Sequence, residues 1–421
     1  MLTAQENALL TQTGPGTPGG DFMRRYWQPA ALSHELGADP LYVRLLSEEF
    51  VLFRDAQGDP CMLDLHCPHR KADLSYGRLE EGRLRCVYHG WLFGGDGACV
   101  EQPGEPAEST YRARIRQPAY PARDVNGVIF AYLGPGEPPP FPDIPWLTAP
   151  RANSWATKLL HECNYLQGNE GNVDPQHLSF LHKTIEFDGP VRASHLLTGR
   201  DTAPQIDVEE TPYGLRLFAV RDTGEGTKYV RVSNFIMPNG SAFPAGQVVD
   251  PAREQIDENL HYSLHFHVPI DDESHWKYRI MFRLDGPVDS AYLDRTQIDF
   301  TSDDSFERPR AARNRYRQDR HEQHTQTYTG MGRNFQDHDR FAVESQGRIL
   351  DRTTEHLATT DKGVIAMRRQ MLAAIDTVRN GGHPPMTDPQ VPHPCRDLVV
   401  RSARVPAGEN PHNVWRAPVS F

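Results

Sequence analysis

Short apolar runs broken by turn residues fill the first third of the chain. Phe50-Val51-Leu52-Phe53 and Met62-Leu63-Asp64-Leu65 flank Asp55-Ala56-Gln57-Gly58, a pattern that predicts a hairpin. Residues 128–133 predict a further strand. Ahead of them, Thr3-Ala4-Gln5-Glu6 has the form of a capping box opening a short helix through Leu10, ended by a Gly/Pro/Thr loop at 14–20. From about Trp27 to Gly134 the pattern therefore predicts a small all-β unit. The proline-rich stretch 134–150 marks a boundary, and beyond it strands and helices mix. Residues 215–220, 260–268 and 277–284 predict strands, and 174–181 a helix start. Residues 292–327 are mostly charged, with helix in parts and a break at Pro309. At 360–379, Val364, Met367, Met371, Ile375 and Val378 recur at helical spacing, and Gly381-Gly382 close the helix. Residues 383–421 are Pro-rich and expected to wrap the surface. The expected units are a helix and loop at 1–24, a β domain at 25–148, a larger domain at 149–382 and an extension at 383–421.

Length agrees with this division: 421 residues, at roughly 100–200 per domain, make two or three domains. Hydrophobic content of 38% suffices to bury a cofactor. A net charge of −11 argues against nucleic acid or an anionic membrane as partner. No run approaches the ~18 apolar residues of a membrane span. The first ten residues lack the basic and apolar regions of a signal peptide, so the expected location is the cytoplasm. Six cysteines in so long a chain are too sparse for a disulfide scaffold. Cys61, Cys99, Cys163 and Cys395 read as buried small hydrophobes or inert thiols. The other two stand beside histidines.

Cys67-Pro68-His69-Arg70 is followed, with sixteen residues between His69 and Cys86, by Cys86-Val87-Tyr88-His89-Gly90-Trp91. Each half offers one thiolate and one imidazole. Two thiolates can hold one iron and two imidazoles the other, around bridging sulfides, which raises the potential above that of an all-cysteine cluster. Pro68 and Gly90 suit the tight loops such a site needs. A zinc finger would carry Cys-x2-4-Cys before His-x3-5-His, which is not the order here. The doubled motif resembles the Rieske fingerprint of ring-hydroxylating oxygenases, and lacks the extra loop cysteines of respiratory Rieske proteins.

Asp174-Pro175-Gln176-His177 to His182 contains Asp-x2-His-x4-His. Two imidazoles and a carboxylate form a facial triad for ferrous iron, with open positions for dioxygen. Asp174-Pro175 suits N-cap and N1 of a helix. On a regular α-helix, however, His177 and His182 would point about 140° apart, which predicts a local widening such as a π-bulge. This motif too is similar to the oxygenase family's iron signature. The resemblance implies that His177 and His182 bind iron. It implies that Asp174 bridges one of them to His69 or His89 of a neighbouring subunit. It places the third ligand in Asn334-Phe335-Gln336-Asp337-His338-Asp339, at Asp339 by its spacing to Glu344-Ser345-Gln346-Gly347, with Asp337 the alternative.

The resemblance is nearest to the phthalate dioxygenase-like branch, which includes aromatic O-demethylases. It implies an α+β fold: a Rieske β-sandwich domain plus a larger catalytic domain in which an antiparallel sheet grips helices. It implies a [2Fe–2S] cluster, a mononuclear Fe(II), homotrimers or stacked trimers, and a separate flavin- or ferredoxin-type reductase. The implied reaction is oxidation of an aromatic acid by O2. O-demethylation of a methoxylated aromatic is preferred over ring hydroxylation or cis-dihydroxylation of a phthalate- or benzoate-like acid. A non-catalytic electron carrier would need only one domain of roughly a hundred residues and no second motif. A zinc hydrolase would have no use for the cluster.

Other residues carry weaker signals. His261, His265 and His267 share one strand face, and read as cross-strand or interface residues rather than a further metal site. Arg70, Lys71, Arg83 and Arg85 form either a reductase-docking patch or plain solvated surface. Arg192, Arg200 and Arg231 are candidates to neutralise a substrate carboxylate.

Overall fold

The computed structural model describes residues 1–185, 191–192, 200–224, 226–245, 248–250, 255–256, 261–284, 286–290, 306, 309–391 and 394–416. The first 132 residues build three small antiparallel sheets. The predicted hairpin is there: Glu48–Arg54 pairs with Pro60–Asp64, Phe50 opposite Asp64 and Arg54 opposite Pro60. Its strand is apolar on both faces because both are covered. Phe50 and Leu52 join the main core, while Val51 and Phe53 face a second core with Leu63, Leu74, Leu84 and Phe93. Cys67 and Cys86 are buried in that second core.

The rest of the chain is organised by an eight-stranded sheet. Its order is Ser154–His161, His275–Phe282, His261–Pro269, Gly240–Ala245, Thr227–Ile236, Gly214–Asp222, Gln205–Thr211. Arg401–Pro406 pairs antiparallel with Thr227–Ile236, so the C-terminal extension does more than wrap the surface: Pro384 and its neighbours yield to a strand whose Ser402 is buried.

Among the described residues the α-helices, in chain order, are α1 (Ala4–Thr11), α2 (Pro18–Met23), α3 (Tyr165–Asn172), α4 (Arg320–Thr325), α5 (Phe335–Glu344) and α6 (Lys362–Arg379). The capping box at α1 is formed: Glu6 N–H donates to Thr3 Oγ1 at 3.1 Å and Thr3 N–H to Glu6 Oε2 at 2.7 Å. The loop expected at 14–20 instead starts α2, where Thr17 caps and Pro18 takes the first turn. On α6, Val364, Met367, Met371, Ile375 and Val378 are all buried, at about 1.5–3 kcal/mol each.

The helix expected from Asp174 is a correction. The helical turns lie earlier, in α3, which Asn164 caps by accepting from Leu166 N–H. After Asn172 the chain leaves the α conformation, and only a single 3-10 turn, His177–Ser179, follows. Asp174 Oδ1 accepts from Gln176 N–H at 2.9 Å, closing a local turn rather than capping a helix. Of the segment expected to be charged and partly helical at 292–327, residues 292–305 and 307–308 lie outside the described residues; beyond them come a 3-10 turn at Ala312–Arg317 and α4.

The end of α1 is tied to the start of α3. Tyr165 OH donates to Leu10 O at 2.8 Å, and Asn164 Nδ2 to Thr11 O at 2.9 Å. Among the described residues no helix is long and apolar enough to cross a membrane.

Candidate metal centres

The two cysteine–histidine halves fold into matching loops. Lys71 N–H donates to Cys67 O at 2.9 Å, and Gly90 N–H to Cys86 O at 3.0 Å. Cys67 N–H donates to Ala72 O, and Cys86 N–H to Trp91 O, both at 2.9 Å. Lys71 and Gly90 both have left-handed backbones, φ 61° and 76°, which glycine adopts without strain. The loops bring the His69 and His89 rings to 4.4 Å between centroids, and Trp91 stacks on His69 at 4.4 Å and 5°. Burial pushes the Cys67 thiol up to about 11, while backbone N–H groups of His69 and Arg70 pull the other way. The thiols are buried and the His69 ring exposed, so the loop tips reach the surface beside exposed Val87 and Tyr88. Arg70 lies over the Tyr88 ring, and Lys71 and Arg83 are exposed. Arg85 is spent on Glu80 and Glu101, both at 2.7 Å.

In the second centre, His177, His182 and Asp339 come together, one ligand atom from each lying within 4.8 Å of the others. His182 Nε2 is 3.0 Å, and His177 Nε2 4.0 Å, from Asp339 Oδ1. The histidine rings meet because the chain between them is not an α-helix; the π-bulge is unnecessary. Fully buried Arg221 props this loop, donating to Pro175 O at 2.8 Å. Asp174 Oδ2 lies 3.7 Å from His177 Nδ1. Asp339 comes from α5, whose Asn334 caps the first turn. Asp337, on another side of α5, faces Arg310 at 3.8 Å. Lys277 Nζ sits 3.3 Å from Asp339 Oδ2, leaving Oδ1 to the histidines.

The charges match a cation site. Burial alone would push Asp339 up, but Lys277, His182 and His177 hold it well below the usual carboxylate range. Burial pushes His182 down to about 3. Burial opposes protonation of His177 as well, yet Asp174 and Asp339 outweigh it and raise that imidazole. Three deprotonatable donors around one point, in a buried setting, suit a ferrous ion. A cavity of about 210 Å³ adjoins them, lined among others by His161, His267, Lys277, Leu181, Val343 and Leu350.

Two family profiles match the chain: a Rieske [2Fe-2S] domain over residues 26–120, and a LigXa C-terminal domain like family over residues 131–410. The phthalate 4,5-dioxygenase oxygenase subunit of Pseudomonas putida is 33% identical, covering 90% of this chain and 88% of that protein. The chain belongs to the Rieske non-haem iron oxygenases. The 5,5'-dehydrodivanillate O-demethylase oxygenase subunit of a Sphingobium species is 31% identical, covering 95% of this chain and 88% of that protein. Crystalline dicamba monooxygenase bound to dicamba shares the fold of this Rieske oxygenase, with a TM-score of 0.61 at 18% identity over 86% of this chain and 99% of that one. The expected family, the α+β architecture and the two cofactors, a [2Fe–2S] cluster and a mononuclear iron, are thus borne out.

Several residues at the site escaped the motif search. Lys277 lies in a strand that was foreseen without a role for the lysine, and His161 in a strand not foreseen; the two ring nitrogens of His161 have no hydrogen-bond partner among the described residues. His267 is a cross-strand residue, its Nδ1 2.9 Å from His275 Nε2 on the neighbouring strand, whereas His265 Nε2 meets Ser263 Oγ of its own strand at 2.9 Å. The His261 and Arg192 side chains lie outside the described residues. Arg231 donates to Pro244 O at 3.0 Å.

Proposed function

We propose that this Rieske oxygenase is the terminal component that monooxygenates an aromatic acid, with O-demethylation of a methoxylated, vanillate- or biaryl-like aromatic as its reaction. The observation that carries the reading is the group His177, His182 and Asp339, of which His177 and Asp339 line a cavity that also presents Lys277. In this reading Cys67, Cys86, His69 and His89 hold the cluster in a domain at 25–148. His177, His182 and Asp339 hold the mononuclear iron in a domain at 149–382. When bound, that iron supplies the activation of dioxygen.

The chain's own residues do the rest. The Asp174 carboxylate faces the Nδ1 side of His177 at 3.7 Å, and Nε2 is turned to the iron position. Lys277 takes one oxygen of Asp339 and adds a buried cation that suits a substrate carboxylate or phenolate. The apolar wall of Leu181, Val343 and Leu350 excludes water. Asp174 also reaches His69 or His89 of a neighbouring copy in a homotrimer or stacked trimers, working in the cytoplasm. A separate reductase, drawing on NADH or NADPH, docks by the exposed Arg70, Lys71 and Arg83. The carbazole 1,9a-dioxygenase oxygenase has been crystallised with a ferredoxin, and shares the fold with a TM-score of 0.57.

Demethylation adds one oxygen atom of O2 to the methoxy carbon. The other leaves as water with two electrons and two protons, and the hydroxylated methoxy group collapses to formaldehyde and a phenol. The relative that demethylates dehydrodivanillate supports this reaction. The phthalate and 3-chlorobenzoate dioxygenase relatives favour the second reading, ring hydroxylation or cis-dihydroxylation. Formaldehyde per NADH, measured with vanillate, a methoxylated biaryl acid and phthalate, separates the two. Equal amounts with a methoxylated substrate are expected. Turnover of any of the three without formaldehyde from any would reject demethylation.

A further inference from the structure

The histidine beside Asp339 has a place in the site that the iron ligands alone do not explain. His338 Nε2 lies 2.8 Å from Gly332 O. A carbonyl only accepts, so that ring nitrogen carries the hydrogen. In a neutral imidazole the other nitrogen is then bare, and His338 Nδ1 lies 3.2 Å from His182 Nδ1. One of two ring nitrogens in contact must donate, and only His182 has a hydrogen to give. Its remaining nitrogen, Nε2, is left as a lone pair facing Asp339 Oδ1 at 3.0 Å. Two acceptors at that distance repel each other unless a cation lies between them. His182 and His338 are 3% and 2% exposed, so water does not compete for the contact and the neutral rings are favoured.

The helix explains why these groups act as a unit. Phe335, His338 and Asp339 stand at i, i+3 and i+4 of α5, on one face. Phe335 stacks on the His182 ring at 4.1 Å and 11°, fixing its plane. The same face supplies the carboxylate, the stacking ring and the hydrogen-bond acceptor.

We propose that His338 is a positioning residue: by accepting from His182 Nδ1–H it sets the tautomer that presents Nε2 to the mononuclear iron. The inference rests on the reading of His182 as an iron ligand. It extends to this site the general rule that the far nitrogen of a metal-bound imidazole needs a partner.

The test uses the full chain with its cluster in place and the mononuclear iron removed by chelation. Anaerobic Fe(II) binding is measured by competition with a chelator for the wild type and for His338→Leu, His338→Phe and His338→Gln. Cluster absorbance and far-UV circular dichroism report the fold. Leu and Phe should weaken iron binding about tenfold to a hundredfold with the cluster spectrum unchanged. Gln, whose amide oxygen can accept from His182, should recover most of the loss. Affinity within about twofold of wild type for Leu and Phe would overturn the proposal. So would Gln as weak as Phe, which would reduce His338 to packing. A wild-type chain that takes up no iron beyond its cluster would instead defeat the ligand assignment itself.

Discussion

Asp337 and Asp339 differ by two positions on one helix, and that is enough to send their carboxylates to different partners. Two residues turn the side chain through about 200°, so Asp337 meets Arg310 while Asp339 meets His182 and Lys277. Replacing Asp339 with Ala should remove the mononuclear iron and leave the cluster, as read by iron content and visible absorbance. Asp337→Ala should keep both. At the other edge of the site Asp174 approaches His177 Nδ1. Asp174→Asn keeps the shape and removes the charge; both centres should stay loaded while turnover drops about a hundredfold. Turnover within a few-fold of wild type would remove Asp174 from the path between the centres.

At the scale of elements, α3 decides where the histidine loop begins. Its approach to the sheet depends on Gly168: a Cβ there would lie 2.1 Å from His267 Nδ1. Gly168→Ala should therefore push α3 off the sheet, costing about 1–3 kcal/mol in a thermal melt, and loosen iron binding with it. The same helix is held from its other side by Glu170, which accepts from Arg352 at 2.7 and 2.8 Å and from Arg368 at 2.7 Å. Glu170→Ala would leave the buried Arg352 guanidinium without its carboxylate and Arg368 with Glu355 alone, and urea melts should show a loss of roughly 3–5 kcal/mol. Neither Gly168 nor Glu170 stood out in the sequence. Asn164-Tyr165-Leu166 carries a cap and an apolar start, but the stronger Asp174-Pro175 signal drew the helix to the wrong side of the loop.

Across the whole molecule, the inner face of the large sheet buries His161, His265, His267 and His275. Burial pushes each of them below 6.5, His275 to about 3. The unfolded chain takes up protons on these rings below pH 6.5 that the folded chain refuses. Their contribution to folding is therefore complete above that pH, and is lost as pH falls towards 3. The urea midpoint should be clearly lower at pH 5 than at pH 7.5. An equal midpoint would mean that the folded protein charges these rings. The expectation could not come from the chain alone, because strand parity aligns histidines without saying which face is covered.

The sequence by itself determined the chemistry of both centres, since the cysteine–histidine loops and the Asp-x2-His-x4-His segment are local motifs whose spacing carries the ligand types. It also determined the elements whose apolar period is unambiguous, such as α6 and the 48–64 hairpin. Tertiary structure alone decided which carboxylate faces the histidines, that the loop between them is not a helix, and that Lys277, His338 and Arg221 gather around it. Those outcomes depend on contacts between residues far apart in the chain, and a one-dimensional pattern does not record which distant surfaces meet.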